Sequence, residues 1–123
     1  MTLEEIQQWE NDFAKRKGVP QDYEKALGFA VLKLSEETGE VCRGILKSDW
    51  ENVQEECFDV ICFVCKLANL MEEFHGTKKL SDVCREKIAI VEKRENMDPK
   101  ALRMKKTIEE TVATKTNKTR GDK

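Results

Sequence analysis

Leu27, Val31, Leu34, Val41 and Ile45 recur at helical spacing, and a second apolar-patterned run, ENVQEECFDVICFVCKLANLM, follows almost at once. Such a period makes one apolar stripe along a helix. The connection at Ser48-Asp49 is short, and helices joined by short loops pack as antiparallel neighbours. These two helices are therefore committed to lie side by side, and the rest of the chain has to fit around them.

The remaining signals are also helical. Thr2 with Glu5 has capping-box spacing and opens a helix to about Lys17, ended by Gly18-Val-Pro20. Asp22 opens the second helix, to about Lys47. Ser48 with Glu51 reads as another capping box, for a third helix to about Phe74 that Gly76 closes. Ser81 or Asp82 caps a fourth helix ending near Asn96. Asp98-Pro99 starts a short fifth to about Val112, with proline at the first helical position. The end of the chain, TKTNKTRGDK, is polar and basic and reads as a disordered tail. No Asn-Gly or Asp-Gly turn lies between alternating runs, so strands are not expected. The expected architecture is an all-α, four-helix bundle over residues 1–112, including the short C-terminal helix, with 113–123 as tail.

Composition bounds the function. The chain has 123 residues, enough for one domain. The net charge of −2 provides no field to recruit nucleic acid. No stretch is long and apolar enough to span a bilayer, and the acidic amphipathic N-terminus is not a signal peptide. A cytoplasmic protein is expected, with its five cysteines as reduced thiols. Cys57, Cys62, Cys65 and the later Cys84 mimic an iron–sulfur spacing, but three of them fall within one helix. Glu72-x-x-His75 is a single copy of a di-iron motif that needs two, and the chain has one histidine.

The acids carry the functional signal. At about 100° per residue, Asp59, Val60, Phe63 and Leu67 all fall within about 60° of Glu56. Glu56 and Asp59 are thus aimed at the core. On the preceding helix Glu37 borders the apolar stripe, with Glu40 and then Glu36 further out. The two pairs lie at comparable distances from the turn and should face each other. Residues 36–59 hold eight acids against Arg43 and Lys47. Two like charges 4 Å apart repel by about 1 kcal/mol in water and about 4 kcal/mol where partly buried. Four facing carboxylates would consume much of a domain's roughly 5–15 kcal/mol of stability. A hard divalent cation removes that repulsion, and an all-oxygen donor set suits Mg²⁺ or Mn²⁺. The alternative is a solvated acidic face.

The segments KLSEETGEVCRGI and ENVQEECFDVICFVCKLA resemble the MazG-type nucleoside triphosphate pyrophosphohydrolases, an all-α superfamily with the signature EExxE, a spacer, then ExxD. Here these are Glu36-Glu37-Thr38-Gly39-Glu40 and Glu56-Cys57-Phe58-Asp59, and the likeness spans roughly residues 3–95. The resemblance implies that Glu37, Glu40, Glu56 and Asp59 ligate Mg²⁺, with Glu36 as an extra ligand. Glu36 or Glu40 would be the water-activating base. It also implies phosphate contacts from Lys87 and Arg94, with Val91 where the pattern has asparagine. Lys33 is a further substrate-binding candidate. Trp9, Trp50, Phe13 and Phe29 are candidates to stack on a base, or else core or interface residues. The expected activity is Mg²⁺-dependent hydrolysis of a nucleoside triphosphate to monophosphate and pyrophosphate, in house-cleaning of the nucleotide pool, by a homodimer or homotetramer. A non-catalytic acidic interaction module is the competing reading.

Overall fold

A computed structural model describes residues 1–94 and 99–121. Among them are five helices and no strand: α1 (Leu3–Arg16), α2 (Tyr23–Leu46), α3 (Trp50–His75), α4 (Leu80–Glu92) and α5 (Pro99–Gly121). The all-α expectation holds. The chain divides into two compact units, Met1–Glu86 and Lys87–Lys123.

In the first unit, local chemistry sets each helix end. Thr2 and Glu5 close a reciprocal capping box at the start of α1, and Asp22 caps α2 by accepting from the Lys25 amide. Gly76 ends α3 in the left-handed conformation, φ 60°, where a side chain is disfavoured. The cap of α3 differs from expectation. Asp49 rather than Ser48 accepts the Asn52 amide. Ser48 is instead at φ 55°, because so tight a reversal needs a left-handed residue between the helices. The α4 start also differs. Ser81 is within the first turn and its side chain hydrogen-bonds Glu4 of α1, holding that carboxyl below its ordinary value.

α3 is the central element and packs against both α2 and α1. α2 and α3 approach closely at Gly44, where a Cβ would meet Val53 Cγ2 at 2.7 Å. The β-branched valine has little rotamer freedom on a helix, so only glycine admits this contact. The Asp49 amide then donates to the Gly44 carbonyl at 2.9 Å, closing the turn. At the other end, the Tyr23 hydroxyl and His75 Nε2 share a hydrogen bond of 2.6 Å, tying the start of α2 to the end of α3. Among the described residues the buried apolar side chains are few: Ala14, Ala26, Ala30, Cys65 and Leu70. All five cysteines are free thiols, and burial raises the Cys62 thiol pKa to about 11.

The second unit holds the end of α4 and α5. α4 stops at Glu92, short of the expected Asn96, which lies outside the described residues, as does Asp98, the expected cap of α5. Pro99 takes the first helical position as expected. α5 is longer than the sequence suggested: it runs on through residues 113–121, assigned above to the tail, while 122–123 lie outside the described residues. Thr107, Thr111 and Thr114 each donate to the carbonyl four residues back, and Lys105 pairs with Glu109.

Candidate metal centre

Glu37 lies about two turns before Gly44 on α2, and Glu56 and Asp59 one turn apart on α3, just after Val53. The tight turn brings them together. One carboxylate oxygen from each of Glu37, Glu56 and Asp59 falls within 4.8 Å of the others. Among the described residues this is the one such group of three or more ligand-type side chains. The cysteines form none. Glu72 and His75 are engaged elsewhere, with Gln7 and Tyr23.

The trio is an electrostatic conflict. The Glu37 side chain is only 12 % exposed. Glu56 Oε2 is buried and has no hydrogen-bond partner. The Glu56 carboxyl is pushed up to about 7, first because it can share a proton with Glu37. Burial and the charges of Glu37, Asp59 and Glu40 add to the shift. With all three acids ionised nothing here donates to Oε2. A hard cation would satisfy it and relieve the repulsion together, so Glu37, Glu56 and Asp59 fit Mg²⁺ or Mn²⁺.

Glu40 is outside this trio. Its carboxylate is held by Arg43 one turn on, which keeps it below the usual carboxylate range. It is still near enough for its charge to help raise Glu56. Glu36, half exposed, is bound to Lys33 at 3.2 Å, and the same ammonium reaches Glu37 at 3.5 Å. These carboxylates, Glu36 foremost, hold the Lys33 pKa above its ordinary value. Lys33 is thus the local counter-ion of the cluster.

Beside the trio, and sharing Asp59 with it, is a cleft of about 270 Å³ lined by Trp9, Phe13, Phe29, Phe58 and Phe63. Trp9 stacks on Phe13 with ring centres 4.9 Å apart and leans on Phe58 at 6.0 Å. Phe29 meets Phe63 edge-on. Trp9, Phe13 and Phe29 from the sequence reading therefore share one cleft, while Trp50 is exposed on the first residue of α3. Lys87 is exposed on α4. Arg94 is beyond the end of that helix, so the shared face inferred from helical spacing does not apply to the pair. Both belong to the second unit.

One polar group escaped the sequence reading. Lys66, in the apolar run of α3, donates to Glu10 of α1 at 3.2 Å, and both side chains are nine-tenths buried. Asn69 donates to the other Glu10 oxygen at 2.8 Å and to the Gln7 carbonyl. Gln7 in turn donates to Asn69 and Glu72. A lysine amid apolar residues was the signal for it.

The sequence profile of the MazG nucleotide pyrophosphohydrolase domain matches residues 29–102, more than half of the chain. The chain belongs to the MazG nucleotide pyrophosphohydrolase domain family. The whole acid trio falls inside the matched MazG segment. α1 falls outside it, although the resemblance was read from residue 3. No curated protein and no solved structure matches the chain. None of the described helices is long and apolar enough to cross a membrane.

Proposed function

We propose that this MazG-domain chain hydrolyses a nucleoside or deoxynucleoside triphosphate to the monophosphate and pyrophosphate, with Mg²⁺ or, in its place, Mn²⁺. The observation that carries the reading is the convergence of Glu37, Glu56 and Asp59 around an oxygen with no donor. Those three residues would hold the ion, with Glu40 joining if its carboxylate leaves Arg43. When bound, the ion supplies neutralisation of phosphate charge and Lewis-acid activation of water and phosphate oxygens.

The chain's own residues do the rest. The aromatic cleft holds the base, with Trp9 as a stacking surface. In the reaction a water oxygen bonds to the α-phosphorus and the bridging bond to the β-phosphate breaks, its electron pair leaving with pyrophosphate. Glu36 takes the water proton. Arg43 makes Glu40 the weaker acceptor of the two candidates. With a cation held by Glu37, Glu56 and Asp59, Lys33 would be released from Glu37 to contact phosphate. In the cell the reaction would clear surplus or non-standard nucleotides. Exposed Leu32, Leu46 and Trp50 support burial of this face by a second copy, as homodimer or homotetramer.

The test is pyrophosphate release from a nucleotide panel with Mg²⁺, alongside thermal melting with and without EDTA. Turnover is expected, and Glu37→Gln and Asp59→Asn should abolish it while circular dichroism stays helical. At about 100 times its dissociation constant Mg²⁺ should stabilise the parent by about 2.7 kcal/mol, and either variant by less. No turnover and no response to EDTA would instead mark a non-catalytic acidic module. Light scattering gives the assembly size.

A further inference from the structure

The Glu10–Lys66 pair lines the aromatic cleft, the same cleft that Asp59 borders. Burying an ion pair carries a desolvation penalty that its own attraction only partly returns. The pair also leaves hydrogen-bonding capacity over. An ammonium has three donors, and among the described residues the one Lys66 hydrogen bond goes to Glu10. Each Glu10 oxygen accepts one bond, from Lys66 or from Asn69, and a carboxylate oxygen can accept two.

Charge says what kind of group can complete this set. The acid trio is net negative and calls for a cation. Glu10 with Lys66 is net neutral, so a charged phosphate would be no better placed here than in water. A neutral, planar group with donors and acceptors along one edge and an apolar face suits both the pair and the rings around it. Nucleobases have that form.

We propose that Glu10 and Lys66 are specificity-determining residues: a nucleobase stacked among Trp9, Phe13 and Phe58 lays its hydrogen-bonding edge on this pair. A ring N–H or exocyclic amine donates to Glu10, and a ring nitrogen or carbonyl oxygen accepts from Lys66. Asn69 and Gln7 hold the Glu10 carboxylate in place. The proposal rests on the nucleotide reading above and adds to it the groups that choose among bases. Trp9, Glu10 and Phe13 precede residue 29, where the family match begins, whereas Phe58 and Lys66 fall within it, so this selectivity draws on residues from both sides of that boundary. A site built to hydrogen-bond its ligand discriminates strongly, because the wrong ligand leaves buried polar groups unpaired.

The experiment separates base binding from hydrolysis. In the full chain carrying Trp50→Phe, Trp9 fluorescence is titrated with adenosine, cytidine, guanosine and uridine without metal. Dissociation constants should differ at least tenfold across the four. The preferred nucleoside methylated on its base-pairing edge should bind at least tenfold more weakly, a readout that needs no further variant. Glu10→Gln should compress the spread at least tenfold. The paired exchange Glu10→Lys with Lys66→Glu, which keeps an ion pair and swaps donor for acceptor, should reorder the preferences. The order of kcat/KM for the four triphosphates with Mg²⁺ should follow in each protein. Equal binding of the methylated and unmethylated nucleoside overturns the proposal, as does parental selectivity in the folded variants. Selective quenching without pyrophosphate release keeps the base site and removes the hydrolase reading. Hydrolysis without selective quenching does the reverse.

Discussion

Two clusters of charged side chains meet on α3, and they are opposites. Toward α2, Glu37, Glu56 and Asp59 confront one another, with Lys33 reaching only the edge and Glu56 Oε2 left without a donor. Toward α1, Glu10 faces Lys66, and Asn69, Gln7 and Glu72 extend the contact into a connected network. The first is a set of acceptors that nothing among the described residues completes. The second is built on a charge-balanced ion pair, Glu10 with Lys66, and fixes α1 to α3. Buried polar groups thus differ in what would complete them: the uncompensated acids call for a cation, while the ion pair joins two helices and has only hydrogen-bonding capacity left over for a neutral group. Counting unmatched charge distinguishes them.

The sharpest way to break this comparison is to unbalance the balanced cluster. Lys66→Met leaves Glu10 buried without its counter-ion and should destabilise the protein by about 3–5 kcal/mol in a denaturant titration. Glu56→Gln, which removes a charge from the unbalanced cluster, should raise the melting temperature of the metal-free protein. If both substitutions act in the same direction, the distinction fails.

Gly44→Ala comes next in size. The added methyl would press on Val53 in the α2–α3 contact, and overpacking of this kind costs about 1–3 kcal/mol. Because Gly44 sets the helix pair that carries the trio, the same variant should weaken Mg²⁺ binding by calorimetry. The Glu10–Lys66 pair, more than three turns along α3 from Val53, should be untouched, and nucleoside quenching of Trp9 should be retained.

The smallest effect is a pH slope. The Glu56 pKa is raised to about 7, so the folded protein binds this proton more tightly than the unfolded chain. Its contribution to stability is fully present below the ordinary glutamate value of about 4.5 and is lost as pH rises through about 7. Melting of the metal-free protein should therefore decline over that window, and Glu56→Gln should flatten the decline. Mg²⁺ affinity should climb over the same range, since the cation displaces the shared proton.

Much of this was legible in the sequence where the governing physics is local. Thr2 with Glu5, Asp22, Gly76 and Pro99 mark helix ends by chemistry that needs no tertiary partner. Glu56 and Asp59 declared themselves by falling on an apolar face, and Glu37 by its register across a short turn. Glu40 is one turn from Glu37 but rotated outward by about 60°, and Arg43 is within reach there. Spacing alone did not reveal that capture. The length of α5 was missed because its apolar stripe, Ala101, Met104, Ile108 and Val112, ends at Val112 and the polar run after it has no helical period to read. The Glu10–Lys66 bond joins residues far apart in the chain, so no window on one helix contains it. Ser48 was misjudged as a cap because the demand for a left-handed residue arises only once both helices are docked.

α1 is a fourteen-residue helix, closed at its start by its own capping box and joined to the rest of its unit largely through α3. It brings Glu10 to Lys66, and Trp9 and Phe13 to the cleft. If a base lies where proposed, substitutions in that one short segment would alter which nucleotide is taken and leave Glu37, Glu56 and Asp59 where they are.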